Sequence, residues 1–233
     1  PQADLPIVPI YTNIFAPPLP QPKRFVQLGR AIRKLVESWP ENVRVAIIGT
    51  GHLSLELGRD LGRQVRGRAL KVALTVDADD ATFDNIMDAL SPDIFQLHGK
   101  ESVARLRDIK QRFGRPVMKV VPVEVAADLA VLPGYTAVAD RILFDARAPK
   151  DATRPGGLGM PFDWRLLGNL ELKLPYMVSG GLHAGNVAEA LRVTRAGGVD
   201  VSSGVESAPG VKDPEMIKAF IRAARASQEL SVR

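Results

Sequence analysis

With 233 residues, 45% of them hydrophobic and 24% charged, the chain is long enough to bury one large core and has the composition of an ordinary soluble globular protein. It contains no cysteine, which excludes disulfides, thiolate-bound zinc and any thiol nucleophile or base. The net charge of +5 comes from arginines scattered beside acidic residues, as in LRDIKQRFGR and AFIRAARAS; without a dense basic run or interleaved aromatics it points to solvated helix faces, not to nucleic acid.

Short β-branched runs alternate with longer amphipathic stretches. Strands are predicted, in chain order, at LPIVPIYTN, VRVAIIGT, LKVALTVD, IFQLHG, PVMKVVPV, RILFDA, PYMVSGG and VDVSSG. Helices are predicted around residues 23–39, 53–66, 80–90, 101–113, 124–132, 163–168, 184–195 and 213–226. Strict alternation of this kind predicts an α/β protein with a parallel sheet and right-handed crossovers. Eight such units close a (β/α)8 TIM barrel, whose usual size is about 250 residues; an open doubly wound sheet is the alternative. No apolar run approaches the ~18 residues that span a bilayer, and no basic segment followed by an apolar one reads as a secretory leader. A cytoplasmic protein without membrane partners is expected.

In barrels, chemistry gathers at the C-terminal strand ends, and phosphate sits in the loops after the seventh and eighth strands. Here the seventh predicted strand ends Ser179-Gly180-Gly181 and the eighth ends Ser202-Ser203-Gly204. Glycines let backbone N–H groups approach an anion closely, so two such ends side by side predict a site for a small phosphorylated substrate. The mild positive charge suits such an anion. VAIIGTGHLS, with Asp77 closing the next strand, imitates a dinucleotide fingerprint. Ser54 stands where its third glycine would be, and the partial motif is weak; no nicotinamide cofactor is expected.

From about residue 59 to 226 the chain closely resembles the phosphoribosylanthranilate isomerases, (β/α)8 barrels of tryptophan biosynthesis. The matching motifs are QLHG (Gln96–Gly99), LFDA (Leu143–Ala146), PGGLGMPFDW (Pro155–Trp164), SGGL (Ser179–Leu182) and VDVSSGVESAPGVKD (Val199–Asp213). The resemblance implies an Amadori rearrangement. An acid protonates the ribose ring oxygen to open the sugar, and a base removes the proton at C2. Asp145 then becomes the general acid; a partly buried strand end favours its neutral form. Gly180, Gly181, Ser203 and Gly204 become phosphate contacts, Asp200 and Glu206 line or brace the site, and His98 shapes the pocket. PGGLG becomes the loop that closes over it, with Trp164 packed beneath. No cofactor and no metal are implied, and a monomer or weak homodimer is expected.

The N-terminal part departs from that pattern. The family's first strand carries a cysteine that serves as the general base, and its second leads to an arginine that meets the anthranilate carboxylate. Here Thr12 and Asn13 end the first predicted strand, and the next arginine after the second strand is Arg59. Residues 1–58, with NIFAPPLP and GTGHLSLELG, resemble an internal piece of the LigB-type extradiol ring-cleavage dioxygenases. The chain's three histidines, His52, His98 and His183, lie in separate units, so no iron site is expected. The sequence thus reads as a fusion: a foreign segment, 1–58, supplies the first two βα units, and isomerase-like units follow over 59–233. Loss of the base predicts impaired isomerase activity.

Overall fold

The computed structural model describes residues 47–49, 55–64, 70–147, 161–208 and 211–231. Within them, β1 (Ile47–Gly49), β2 (Lys71–Thr75), β3 (Ile94–Leu97), β4 (Val117–Val123), β5 (Arg141–Ala146), β6 (Tyr176–Val178) and β7 (Gly198–Val199) form one seven-stranded sheet in the order of the chain. Every neighbouring pair is parallel. The helices α1 (Leu55–Gln64), α2 (Asp80–Leu90), α3 (Val103–Phe113), α4 (Leu132–Thr136) and α5 (Val187–Thr194) lie in the crossovers, and α6 (Pro214–Ser231) ends the described chain after the last strand. The result is an α/β fold with a curled parallel sheet, resembling a TIM barrel. The predicted first strand, the helix at 23–39 and the PGGLG loop lie outside the described residues.

Local signals set the helix ends. Asp79 caps α2 by accepting from the Thr82 N–H at 2.8 Å, and Ser91 closes it in a left-handed conformation. Ser102 caps α3 through the Arg105 N–H, and Gly114 ends it at φ 60°. Such caps are typically worth ~1 kcal/mol each.

Strand alternation sorts the side chains into two layers. Val72, Ile94, Met118, Val120, Leu143 and Met177 pack together on the inner face. Ala73, Phe95, Leu97, Val117, Val121, Phe144 and Val178 pack outward against helix residues such as Phe83, Leu106, Ile109, Val187 and Phe220. Phe83 and Phe95 meet edge to face at 4.9 Å. Full burial of such side chains stabilises the fold by about 1.5–3 kcal/mol each.

Several predicted elements change form. The helix expected at 124–132 is a 3-10 helix over Ala126–Val131 that runs into α4. The Asp128 carboxylate accepts from the N–H groups of Glu124 and Val125 and tightens that turn, while Pro133 starts the next helix where its missing N–H costs nothing. The helix expected at 163–168 is a single 3-10 turn, Trp164–Leu167, capped by Asp163. Trp164 packs against the core as expected. Of the last predicted strand, VDVSSG, only Val199 lies in the observed strand Gly198–Val199; the chain then turns through a 3-10 segment at Ser203–Val205 and forms an antiparallel hairpin, β8 (Glu206–Ala208) with β9 (Val211–Lys212).

Candidate active site

Asp145 lies two residues beyond the inner-face Leu143 at the C-terminal end of β5, so alternation turns its carboxylate inward. It is 5% exposed. One carboxylate oxygen accepts from the Ala146 N–H at 2.9 Å. The other stands 3.3 Å from His98 Nε2, and both side chains are buried. His98 follows β3 in the same inward phase as Ile94 and Gln96, and its N–H donates to the Thr75 carbonyl at 2.8 Å. A buried carboxyl group in contact with an imidazole is able to hold and pass a proton.

The two glycine-bearing strand ends lie next to one another. Gly180 has φ +89°, and a Cβ there would stand 2.6 Å from the Ala146 Cβ; Gly181 has φ +63°. Only glycine takes both positions without strain. A Cβ on Gly204 would lie 1.8 Å from the Leu182 carbonyl oxygen, so the loop after β7 is pressed directly against the loop after β6. That contact sets Gly204 against Leu182, the residue after Gly181. Asp200 is 1% exposed and sits between the outward-packed Val199 and Val201, hence on the inner face.

Glu206 is placed differently from Asp200. It lies in the β8–β9 hairpin, where Lys212 Nζ donates to its carboxylate at 2.7 Å and to the Ser202 carbonyl at 2.8 Å. Lys212 stands inside the VKD end of the last motif without having been singled out from the sequence, because a lysine near a helix start looks like solvated surface. Asn186 was missed as well. Its amide donates to the Gly181 carbonyl at 3.0 Å, and its oxygen accepts from the His183 N–H at 2.8 Å, which braces the glycine loop. Four residues after SGGL, an asparagine ahead of a helix was a turn signal that would have found it.

A third cluster lies behind His98. Glu101 and Lys119 form a buried ion pair at 2.7 Å, and the Tyr135 hydroxyl donates to the Glu101 carbonyl at 3.1 Å. Burial, with the Glu101 carboxylate nearby, pushes the Tyr135 phenol above its ordinary value. Among the described residues there is no group of three His, Asp or Glu side chains able to hold a metal ion, and no helix is long and apolar enough to cross a membrane.

A curled parallel sheet with buried acid–base groups and glycine turns along its C-terminal edge defines a barrel enzyme of the TIM type. Compared with known proteins, residues 40–223 match the family model for N-(5'phosphoribosyl)anthranilate (PRA) isomerase. The N-(5'-phosphoribosyl)anthranilate isomerase of Bradyrhizobium diazoefficiens is 89% identical over 186 residues, which cover 78% of this chain and 83% of that relative. The crystal structure of phosphoribosyl anthranilate isomerase from Thermotoga maritima superposes with a TM-score of 0.74 at 28% identity, covering 95% of this chain and 99% of that one. A phosphoribosyl anthranilate isomerase structure in complex with reduced 1-(o-carboxyphenylamino)-1-deoxyribulose 5-phosphate superposes at 0.69 with 26% identity, over 95% and 99% of the two chains. The chain belongs to the N-(5'-phosphoribosyl)anthranilate isomerase family, isomerases of tryptophan biosynthesis.

Proposed function

We propose that this chain carries the acid and phosphate halves of the isomerase site and lacks the base half. In this reading Asp145 protonates the ribose ring oxygen of N-(5'-phosphoribosyl)anthranilate, the C1–O bond breaks, and the anthranilate nitrogen takes up the positive charge as an iminium. Removal of the C2 proton then gives the enamine that relaxes to 1-(2-carboxyphenylamino)-1-deoxyribulose 5-phosphate. Gly180, Gly181, Ser203 and Gly204 receive the phosphate, Asp200 lines the cavity and Glu206 braces it through Lys212. The observation that carries the reading is the buried, inward-facing Asp145 in contact with His98.

The base that removes the C2 proton is a cysteine in the family, and this chain has none. One acid–base group contributes about 10²–10⁴-fold, so turnover falls by at least that factor. The family match begins at residue 40. It therefore includes residues 40–58 of the segment 1–58 that we read as foreign, while NIFAPPLP lies before it. A second reading, a barrel that binds the phosphate without turnover, is favoured by the missing cysteine. The protein acts as a monomer or weak homodimer, without cofactor.

Calorimetric titration with the reduced product analogue, alongside an isomerase assay, tests the proposal. Saturable binding with weak but measurable turnover supports an impaired isomerase. Binding without turnover supports the second reading. No binding would refute both.

A further inference from the structure

We propose that Lys119 is a positioning residue for the isomerase reaction: from the helix side of the sheet it clamps the backbone on both sides of His98 and thereby sets the imidazole against Asp145. This rests on the reading of Asp145 and His98 as parts of the isomerase site.

Lys119 sits in β4 between Val117 and Val121 in the outward phase, in a layer otherwise filled by aliphatic and aromatic side chains, and is 2% exposed. Its ammonium donates to the Leu97 carbonyl at 3.2 Å, the Gly99 carbonyl at 2.6 Å and Glu101 Oε2 at 2.7 Å. These three bonds use all its donors. Leu97 and Gly99 are the residues before and after His98. Glu101, equally buried, returns along the same loop. Its carboxylate accepts from the Gly99 N–H at 3.1 Å and from the Asp77 N–H at 3.0 Å, and Asp77 in turn accepts from the Lys100 N–H at 2.7 Å. Gly99 cannot be replaced in this arrangement, because a Cβ would lie 2.4 Å from Asp77 Oδ1.

Packing alone gives no reason for a lysine here. Removing two charges from water is costly, and an apolar pair of similar volume is often as stable or more so. An apolar residue, however, cannot hold two carbonyls in fixed positions. The clamp orients the peptide groups that flank His98, whose ring then reaches Asp145 at 3.3 Å. A misplacement of about 1 Å in such a contact is enough to cost on the order of 10²-fold in rate.

Histidine-ring NMR tests this directly, since the chain has only three histidines and H98Q assigns the relevant signal. Spectra are compared for the unmodified chain, K119M, E101Q and K110M. Lys110 also ties a helix to the sheet, through the Val138 carbonyl and Asp140, but ahead of β5 and away from His98, so K110M controls for general loosening. The expected result is a displaced His98 ring signal in K119M and E101Q, with His183 unmoved and K110M unchanged. E101Q decides alone if K119M does not fold. An unmoved His98 signal in either folded variant overturns the proposal, and so does an equal displacement in K110M. If the reduced product analogue leaves the His98 signal of the unmodified chain in place, the site reading fails, while the ligand-free spectra still decide the clamp.

Discussion

His98 and Asp145 meet at 3.3 Å although they end strands that are not neighbours: β4 lies between β3 and β5. Adjacent strands are about 4.8 Å apart, so next-but-one strands in a flat sheet would hold these backbones roughly 10 Å from each other. Their side chains reach across because the inner face is concave. On the strand between them, Pro122 is the residue in register with Asp145. Sheet curl, set by the large outer layer and the small inner one, thus brings the two groups together.

Asp145→Asn removes the acidic carboxyl proton while keeping the shape. Residual isomerase turnover is expected to fall by a further ~10²–10⁴-fold, with the reduced product analogue still binding. Steady-state kinetics beside calorimetry checks this; unchanged turnover would place the acid elsewhere.

Asn13→Cys puts a thiol at the end of the first predicted strand. If the missing base limits the reaction, turnover rises by on the order of 10²-fold, and the gain disappears after alkylation of the only cysteine in the variant. No gain would show that the N-terminal segment does not present position 13 to the substrate.

Ser203→Asp places a carboxylate where the phosphate is expected to bind. Saturable binding of the analogue is expected to be lost, whereas Ser203→Ala, which removes one hydrogen bond worth about 0.5–1.5 kcal/mol, weakens it several-fold. Equal affinity for Ser203→Asp and the unmodified chain would move the phosphate away from this loop.

Gly180→Ala forces a side chain into φ +89° and to within 2.6 Å of the Ala146 Cβ. A cost of at least ~1–3 kcal/mol is expected from the backbone alone, read as a lower urea midpoint. Because the strain falls next to Asp145, analogue affinity should drop as well.

Asp128 links stability to pH. The Val125 N–H is the foremost of the partners that hold its carboxyl below the ordinary value of 3.8, with the Glu124 N–H and Arg147 adding to it. A group lowered in the folded state contributes stability that is fully present above its unfolded value and is lost as pH falls through the folded one. Asp128→Asn should therefore melt below the unmodified chain at neutral pH, with the gap closing under about pH 4. Thermal melts from pH 7 to pH 2 check this, and a gap constant across that range would contradict it.

The sequence by itself determined the order of elements, the parallel sheet, the family and the strand-end positions of Asp145, His98, Gly180 and Gly181. These are local or periodic signals, such as the alternation in RILFDA and the glycines that end PYMVSGG. It overextended the last strand, since nothing in VDVSSG says that Gly204 will press against the Leu182 carbonyl and end the pairing. It also passed over Lys119 and Glu101, 18 residues apart, because a lysine among valines and a glutamate before a helix each look ordinary alone. Only the tertiary structure decided that these charges share a dry layer behind His98, and that a concave sheet lets His98 touch Asp145. Hydrophobic period is written residue by residue, whereas curvature and buried charge pairing arise only when distant segments exclude water together.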